Sequence, residues 1–122
     1  MNAERRRAPR YQFVAEAELV ETASGTKSHG KTGDLSLGGC FLDTLNPAPE
    51  GTELLVTISR ADRRFSALGR VVFQFPRFGM GVVFTQVESD QLAILEEWLS
   101  AAERNRSVGP VIGAALGEDE KS

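Results

Sequence analysis

Cysteine and histidine each occur once in the 122 residues, as Cys40 and His29. A lone cysteine forms no internal disulfide, so covalent staples are excluded and a reducing compartment such as the cytoplasm is expected. One His and one Cys also cannot build a structural zinc centre, which needs several ligands at fixed spacing. His29 lies in a Gly/Ser-rich stretch and reads as solvated. Cys40 leads an apolar strand and reads as a small core residue. No family signature joins the two as a nucleophilic pair. Long apolar runs are missing too: none approaches the roughly 18 residues of a membrane span. The basic opening MNAERRRAPR is followed by no apolar segment and does not read as a secretory signal. P-loop and dinucleotide fingerprints are absent, since GDLSLGG (33–39) is not GxGxxG and sits in no βαβ unit. No catalytic constellation remains, so the expectation is a protein that is not an enzyme, carries no metal or cofactor and spans no membrane.

What is present describes an ordinary soluble domain. The length suits one domain, and 41% hydrophobic with 25% charged residues is a typical balance. A core of this size holds without staples. The net charge of −3 is unevenly spread: Arg5, Arg6, Arg7 and Arg10 face only Glu4 in the first ten residues, while the end, GEDEKS, is acidic. A net-acidic chain is a poor general nucleic-acid binder, and none is expected as a partner. A local arginine cluster can still hold one small polyanion.

Residues 1–10 read as a flexible arm, because Pro9 disfavours helical geometry at Ala8 and removes a donor. From Tyr11 the period is two: Phe13, Ala15, Ala17 and Leu19 alternate with Val14, Glu16 and Glu18, a strand with one wet face. TASGTKSHG (22–30) reads as a loop or hairpin. Lys31–Leu35 and Cys40–Asp43 read as short strands, followed by a loop in NPAPEG. TELLVTIS (52–59), FSALGRVVFQF (65–75) and MGVVFTQV (80–87) read as strands, with RADR and PRFG as turns and Gly69 as a bulge. About six short strands with turn-type connections predict an all-β antiparallel barrel or sandwich. Ser89 reads as an N-cap and Asp90 as a first-turn acid. Leu92, Leu95, Leu99 and Ala102, flanked by Ile94 and Trp98, predict an amphipathic helix over 89–105 that packs on the sheet or plugs the barrel. Residues 106–122 lack a period and read as a loose tail.

Two features carry chemistry. One is Arg6 and Arg10, with Arg5 just before them. The other is Asp34-x-Ser36-x-x-Gly39, with Gly38 beside Gly39. Guanidinium groups pair with phosphate, read the guanine O6/N7 edge and stack on flat rings. A carboxylate accepts from N1–H and N2–H₂ on the other guanine edge. A hydroxyl and free backbone N–H groups suit phosphate or a further base contact, and paired glycines let backbone and ligand approach closely. Each feature alone has a bland reading, a solvated arm or an Asx-type turn. Together they suit a ligand that is both guanine and phosphate.

RRAPR (6–10), preceded by Arg5, matches (R)RxxxR, and DLSLGG (34–39) matches DxSxxG. With SALGRVVFQF…FGMGVVF (66–84) and the terminal helix, the chain over about residues 4–104 resembles the PilZ domain, the bacterial receptor module for cyclic di-GMP. The resemblance implies a six-stranded antiparallel β-barrel over 11–105 with a C-terminal helix, and a non-catalytic receptor or adaptor that signals as ligand orders the arm. It implies that Arg6 and Arg10 clamp guanine and phosphate, Asp34 reads a guanine edge, and Ser36 with Gly38 and Gly39 completes the site. An extra arginine such as Arg5 goes with a stacked pair of ligands in that family. Arg7 has no firm role, and Phe73 either covers the outer guanine or belongs to the core. A downstream protein partner is implied but not named. The alternative is a PilZ-like interaction module that binds protein and no nucleotide; a hydrolase built on Cys40 has no supporting signature.

Overall fold

Strand-forming sequence dominates up to residue 87, and the chain spends it on one closed sheet. The computed structural model describes residues 8–115, with side chains as far as residue 105. Its elements are β1 (Tyr11–Gln12), β2 (Glu16–Glu21), β3 (Lys27–Leu35), β4 (Gly39–Asp43), β5 (Glu53–Arg60), β6 (Arg63–Phe75), β7 (Gly79–Gln86) and the helix α1 (Ser89–Ala115). All pairings are antiparallel. From β3 the order runs β2, β5, β6, β7, β4, and β4 pairs back onto β3 to close a six-stranded barrel. The expected barrel with a C-terminal helix is therefore what the chain forms, with β1 as one extra short strand on the end of β3.

The extra strand comes from a break in the long alternating segment. Phe13 and Ala15 keep their inward orientation, at 6% and 7% exposed, as do Ala17 and Leu19. The ladder, however, is interrupted between β1 and β2. Buried Thr32 on β3 bridges the gap: its hydroxyl donates to the Phe13 carbonyl, and its N–H donates to the Ala15 carbonyl at 2.9 Å. Phe13 N–H in turn donates to Gly33 O at 3.2 Å. A side-chain hydroxyl thus replaces a ladder bond where β3 is irregular between Thr32 and Asp34.

Three other boundaries differ from the sequence reading. β3 begins at Lys27, inside the segment read as a loop. Its first three residues are exposed and pair with β2, so no apolar face announces them. The helix accepts its first bond at Glu88, whose carbonyl receives Leu92 N–H at 2.8 Å, one residue before the expected cap. The helix also continues past residue 105 to Ala115, across Gly109 and Pro110, where the proline has no N–H to give to the helix. Residues 1–7 of the arm and 116–122 of the tail lie outside the described residues.

The core fills the barrel and one end of it. Phe65, Leu19, Leu35, Leu42, Leu54, Ile58 and Val56 are sealed inside. Leu95 and Trp98 from α1 close the end, with Leu92, Ile94 and Leu99 half-buried around them. Trp98 is therefore central to the buried stripe and not a flank of it. Its ring lies 5.2 Å from Phe13 and 6.3 Å from Phe65, distances of real aromatic contact. Gln91 accepts from Ser66 N–H at 2.7 Å and Glu97 pairs with Arg63 at 2.9 Å, fixing α1 along β6.

Cys40 lies in this core, 1% exposed. Burial pushes its thiol up to about 12, the Asp34 carboxylate adding to the rise and the Arg10 guanidinium opposing it. Such a thiol is protonated at neutral pH and is no nucleophile. His29 is out of reach as a base: Cys40 pairs with Leu35, six positions along β3 from His29, roughly 20 Å at strand rise. The unfolded thiol loses its proton near 9.0 and the folded one only near 12, so the unfolded state binds fewer protons in that window and stability falls as pH rises through it. The slope contributed is at most about 1.4 kcal/mol per pH unit. Urea denaturation between about pH 8 and pH 12 should show Cys40→Ala losing less stability with pH than the wild type does.

Candidate ligand-binding site

The turn joining β3 to β4 is built by the motif Asp34-Leu35-Ser36-Leu37-Gly38-Gly39. Ser36 N–H donates to Gly39 O at 2.8 Å, and the Ser36 hydroxyl accepts from Gly38 N–H at 3.2 Å while donating to Gly39 O at 3.2 Å. Ser36 is 5% exposed, so its hydroxyl is first of all the organiser of the turn. Asp34 stands just before it. Its Oδ1 accepts from Phe41 N–H at 3.1 Å and from Arg10 Nη1 at 2.8 Å, while Oδ2 has no hydrogen-bond partner among the described residues.

The two glycines have unlike roles. A Cβ on Gly39 would lie 2.1 Å from Val82 O, so only glycine lets β4 meet β7 there. A Cβ on Gly38 would meet nothing within 4 Å, and its backbone is not in the left-handed region. The fold does not demand glycine at 38; what its bareness leaves is open space.

That space is a cleft of about 310 Å³ bounded by Arg10, Ser36, Gly38 and Gly39, and by Val72, Phe73, Gly81 and Val83 from β6 and β7. Two roomier hollows, about 590 and 610 Å³, flank α1 and contain neither Ser36 nor Gly38. The smaller cleft is where motif chemistry converges. Arg10 lines it and, at its edge, pairs with Asp34, 24 positions away and itself outside the lining. The structure therefore brings together Arg10, Asp34, Ser36, Gly38, Gly39 and Phe73; Arg5 and Arg6, and Arg7 with them, lie outside the described residues.

Phe73 is on the cleft wall, 38% exposed, and not in the core. Strict alternation from Phe65, Ala67 and Val71 would turn it inward. A register shift between Val71 and Phe73 sends both Val72 and Phe73 outward instead. Val72, Val83 and Gly81 were missed by the sequence reading. A usable signal existed: Phe-x-Phe at 73–75 and Gly-x-Gly at 79–81 flank one short turn, a spacing that sets rings over bare backbone.

The Arg10–Asp34 pair joins groups with side chains 51% and 34% exposed. At that exposure it is worth about 0–1 kcal/mol, so it holds the arm base in place yet exchanges readily for another partner. Among the described residues, no group of three or more His, Cys, Asp or Glu is placed to hold a metal, and no helix is long and apolar enough to cross a membrane.

Comparison with known proteins bears on the fold. No curated protein sequence matches the chain. Among solved structures, the PilZ domain of CeSA from a cellulose-synthesizing bacterium superposes with a TM-score of 0.65 at 17% identity, over 79% of this chain and 99% of that one. The PilZ domain of YcgR from Escherichia coli, solved with c-di-GMP, gives a TM-score of 0.68 at 16% identity, over 84% of this chain and 94% of that one. MrkH of K. pneumonia in its apo state gives 0.67 at 16% identity, and this chain spans 52% of it. At these identities the likeness is one of fold. The sequence model of the PilZ domain matches residues 4–101, most of the chain, and so the protein belongs to the PilZ domain family.

Proposed function

We propose that this domain is a non-catalytic, cytoplasmic receptor for cyclic di-GMP, which it holds in the cleft between the arm, the β3–β4 turn and β6. The observation that carries the reading is the meeting of Arg10 with Asp34 at 2.8 Å on the lip of a cleft that also holds Ser36, Gly38 and Phe73. An arginine and a carboxylate at one lip offer donors for phosphate or the guanine O6/N7 edge and acceptors for its N1–H/N2–H₂ edge. Among the described residues Asp34 Oδ1 takes two donors and Oδ2 takes none. Bidentate reading of guanine then asks Arg10 to leave Oδ1 for the ligand, an exchange made easy by the weakness of the exposed pair. Arg6 and Arg5 would follow Arg10 onto the phosphates, ordering the arm around the ligand and altering the surface a downstream protein meets. Affinity of the YcgR PilZ domain for c-di-GMP, evident in its structure with that molecule, supports the ligand's identity.

Calorimetric titration with cyclic di-GMP, with cyclic AMP and GTP as controls, tests the reading; absence of heat at tens of micromolar protein would refute it in favour of a protein-only interaction module. Arg6→Ala, Arg10→Ala and Asp34→Asn should each weaken binding by about 1–3 kcal/mol, the scale of a bidentate guanine contact. The asparagine keeps an acceptor for Phe41 N–H, so melting temperature should hold. Unchanged affinity in all three variants would sink the site.

Two ligands should bind each domain as a stacked pair, because Arg5 adds a cation beyond those one half-site engages. Arg5→Ala should then lower the saturating stoichiometry from two toward one in native mass spectrometry. A wild-type ratio of one excludes the pair. If Arg5 only attracts at long range, its loss would leave stoichiometry fixed and affinity salt-dependent.

Gly38→Val should leave thermal stability nearly unchanged yet reduce affinity at least ten-fold, roughly 1.4 kcal/mol, by filling the cleft. Gly39→Ala should instead destabilise the fold, by about 1–3 kcal/mol for an overpacked site. A Gly38 variant that binds normally would show that ligand does not enter beside the turn.

A further inference from the structure

β6 breaks its own pattern next to the cleft at a visible cost. The bulge at Val72 turns Phe73 and Phe75 outward, where they are 38% and 54% exposed. Gln74 Oε1 beside it is buried with no hydrogen-bond partner among the described residues. Buried acceptors left unmade are unfavourable, and exposed phenylalanines return nothing to the core. Such local conflicts with the fold concentrate where function requires them.

The outward ring has a prepared seat. In register, Gly81 of β7 stands between Phe41 of β4 and Phe73 of β6. A Cβ on Gly81 would lie 2.3 Å from one Phe73 ring carbon and 2.4 Å from another. The ring therefore lies down over bare backbone. Phe41 and Phe73 are inclined by only 26°, with centroids 6.2 Å apart, so the two rings lie nearly parallel. Any side chain at 81 must lift Phe73. Phe73 and Gly81 line the same cleft as Arg10 and Gly38.

We propose that Gly81 is a positioning residue that holds the Phe73 ring as a flat wall against which a purine base of the ligand stacks. The inference rests on the cyclic di-GMP reading above and adds to it the element that orients the base. Aromatic rings bind nucleobases through their π-faces, and only a ring held flat offers a whole face. Arg10 supplies the cationic partner in the same cleft.

The test is a double-mutant cycle read in affinity for cyclic di-GMP by calorimetry, using wild type, Gly81→Ala, Phe73→Leu and the double variant. Each single change should lower affinity about ten-fold, the scale of one base–ring stack. The double variant should bind no worse than Phe73→Leu alone, since Gly81 acts only through the ring. Losses that multiply, or a Gly81→Ala protein with wild-type affinity, overturn the proposal. A measurement on unmutated protein covers the case in which Gly81→Ala does not fold. With ring-labelled phenylalanine, the Phe73 NMR signals should move upfield on addition of ligand, from the ring current of the stacked base. Binding with unmoved Phe73 signals overturns the stacking and leaves the receptor reading intact, whereas no binding by the wild type removes both.

Discussion

Closure of the barrel depends on β4. This strand has five residues, and it must pair with β3 on one side and β7 on the other for the sheet to have no open edge. Its approach to β7 is so close that Gly39 tolerates no side chain. The turn that delivers β4 into place is the same turn that carries Asp34, Ser36 and Gly38. Architecture and the candidate site therefore share one hairpin. The buried Ser36 hydroxyl and the Phe41 N–H, by tying the turn and Asp34 down, hold the carboxylate in a fixed position at the cleft lip before any ligand arrives.

A tightly bonded turn faces an exposed ion pair at Arg10. The Arg10–Asp34 contact is half-exposed and weak, whereas the hydrogen bonds of Ser36 are buried. In the proposed receptor, recognition would be divided between a preformed half and an adaptable half. Preorganisation lowers the ordering cost on one side of a ligand, and the other side retains the freedom to change when the ligand binds.

Much of the barrel could be read from period-two alternation, because Phe13, Ala15, Ala17, Leu19, Leu54, Val56 and Ile58 all face one dry interior. Elements lacking a dry face could not. Lys27–His29 pair with β2 while exposed, so hydrogen bonding alone makes them strand. Trp98 was misplaced as a flank because helical spacing locates a stripe without fixing its centre. In the site, Arg10, Asp34 and the turn were legible as types of chemistry at a spacing. Their convergence was not, since it depends on the β1–β3 and β3–β4 registers. Phe73 was undecidable from sequence: alternation puts it inside, and only the bulge at Val72, invisible to any period, puts it outside. The glycines looked alike, yet one answers to packing and the other to empty space.

The aromatic floor under the helix has one more implication. The chain has a single tryptophan, and its ring packs on Phe13, three positions after Arg10, with the Arg60 guanidinium lying 4.3 Å over the other partner in that contact. The indole is thus the only strong ultraviolet emitter in the molecule, and it sits beneath the anchor of the arm with a cation near its neighbour. Movement of that anchor would alter the polarity and quenching around one fluorophore and so give the domain an intrinsic optical gauge of its own arm, readable without label or reporter fusion.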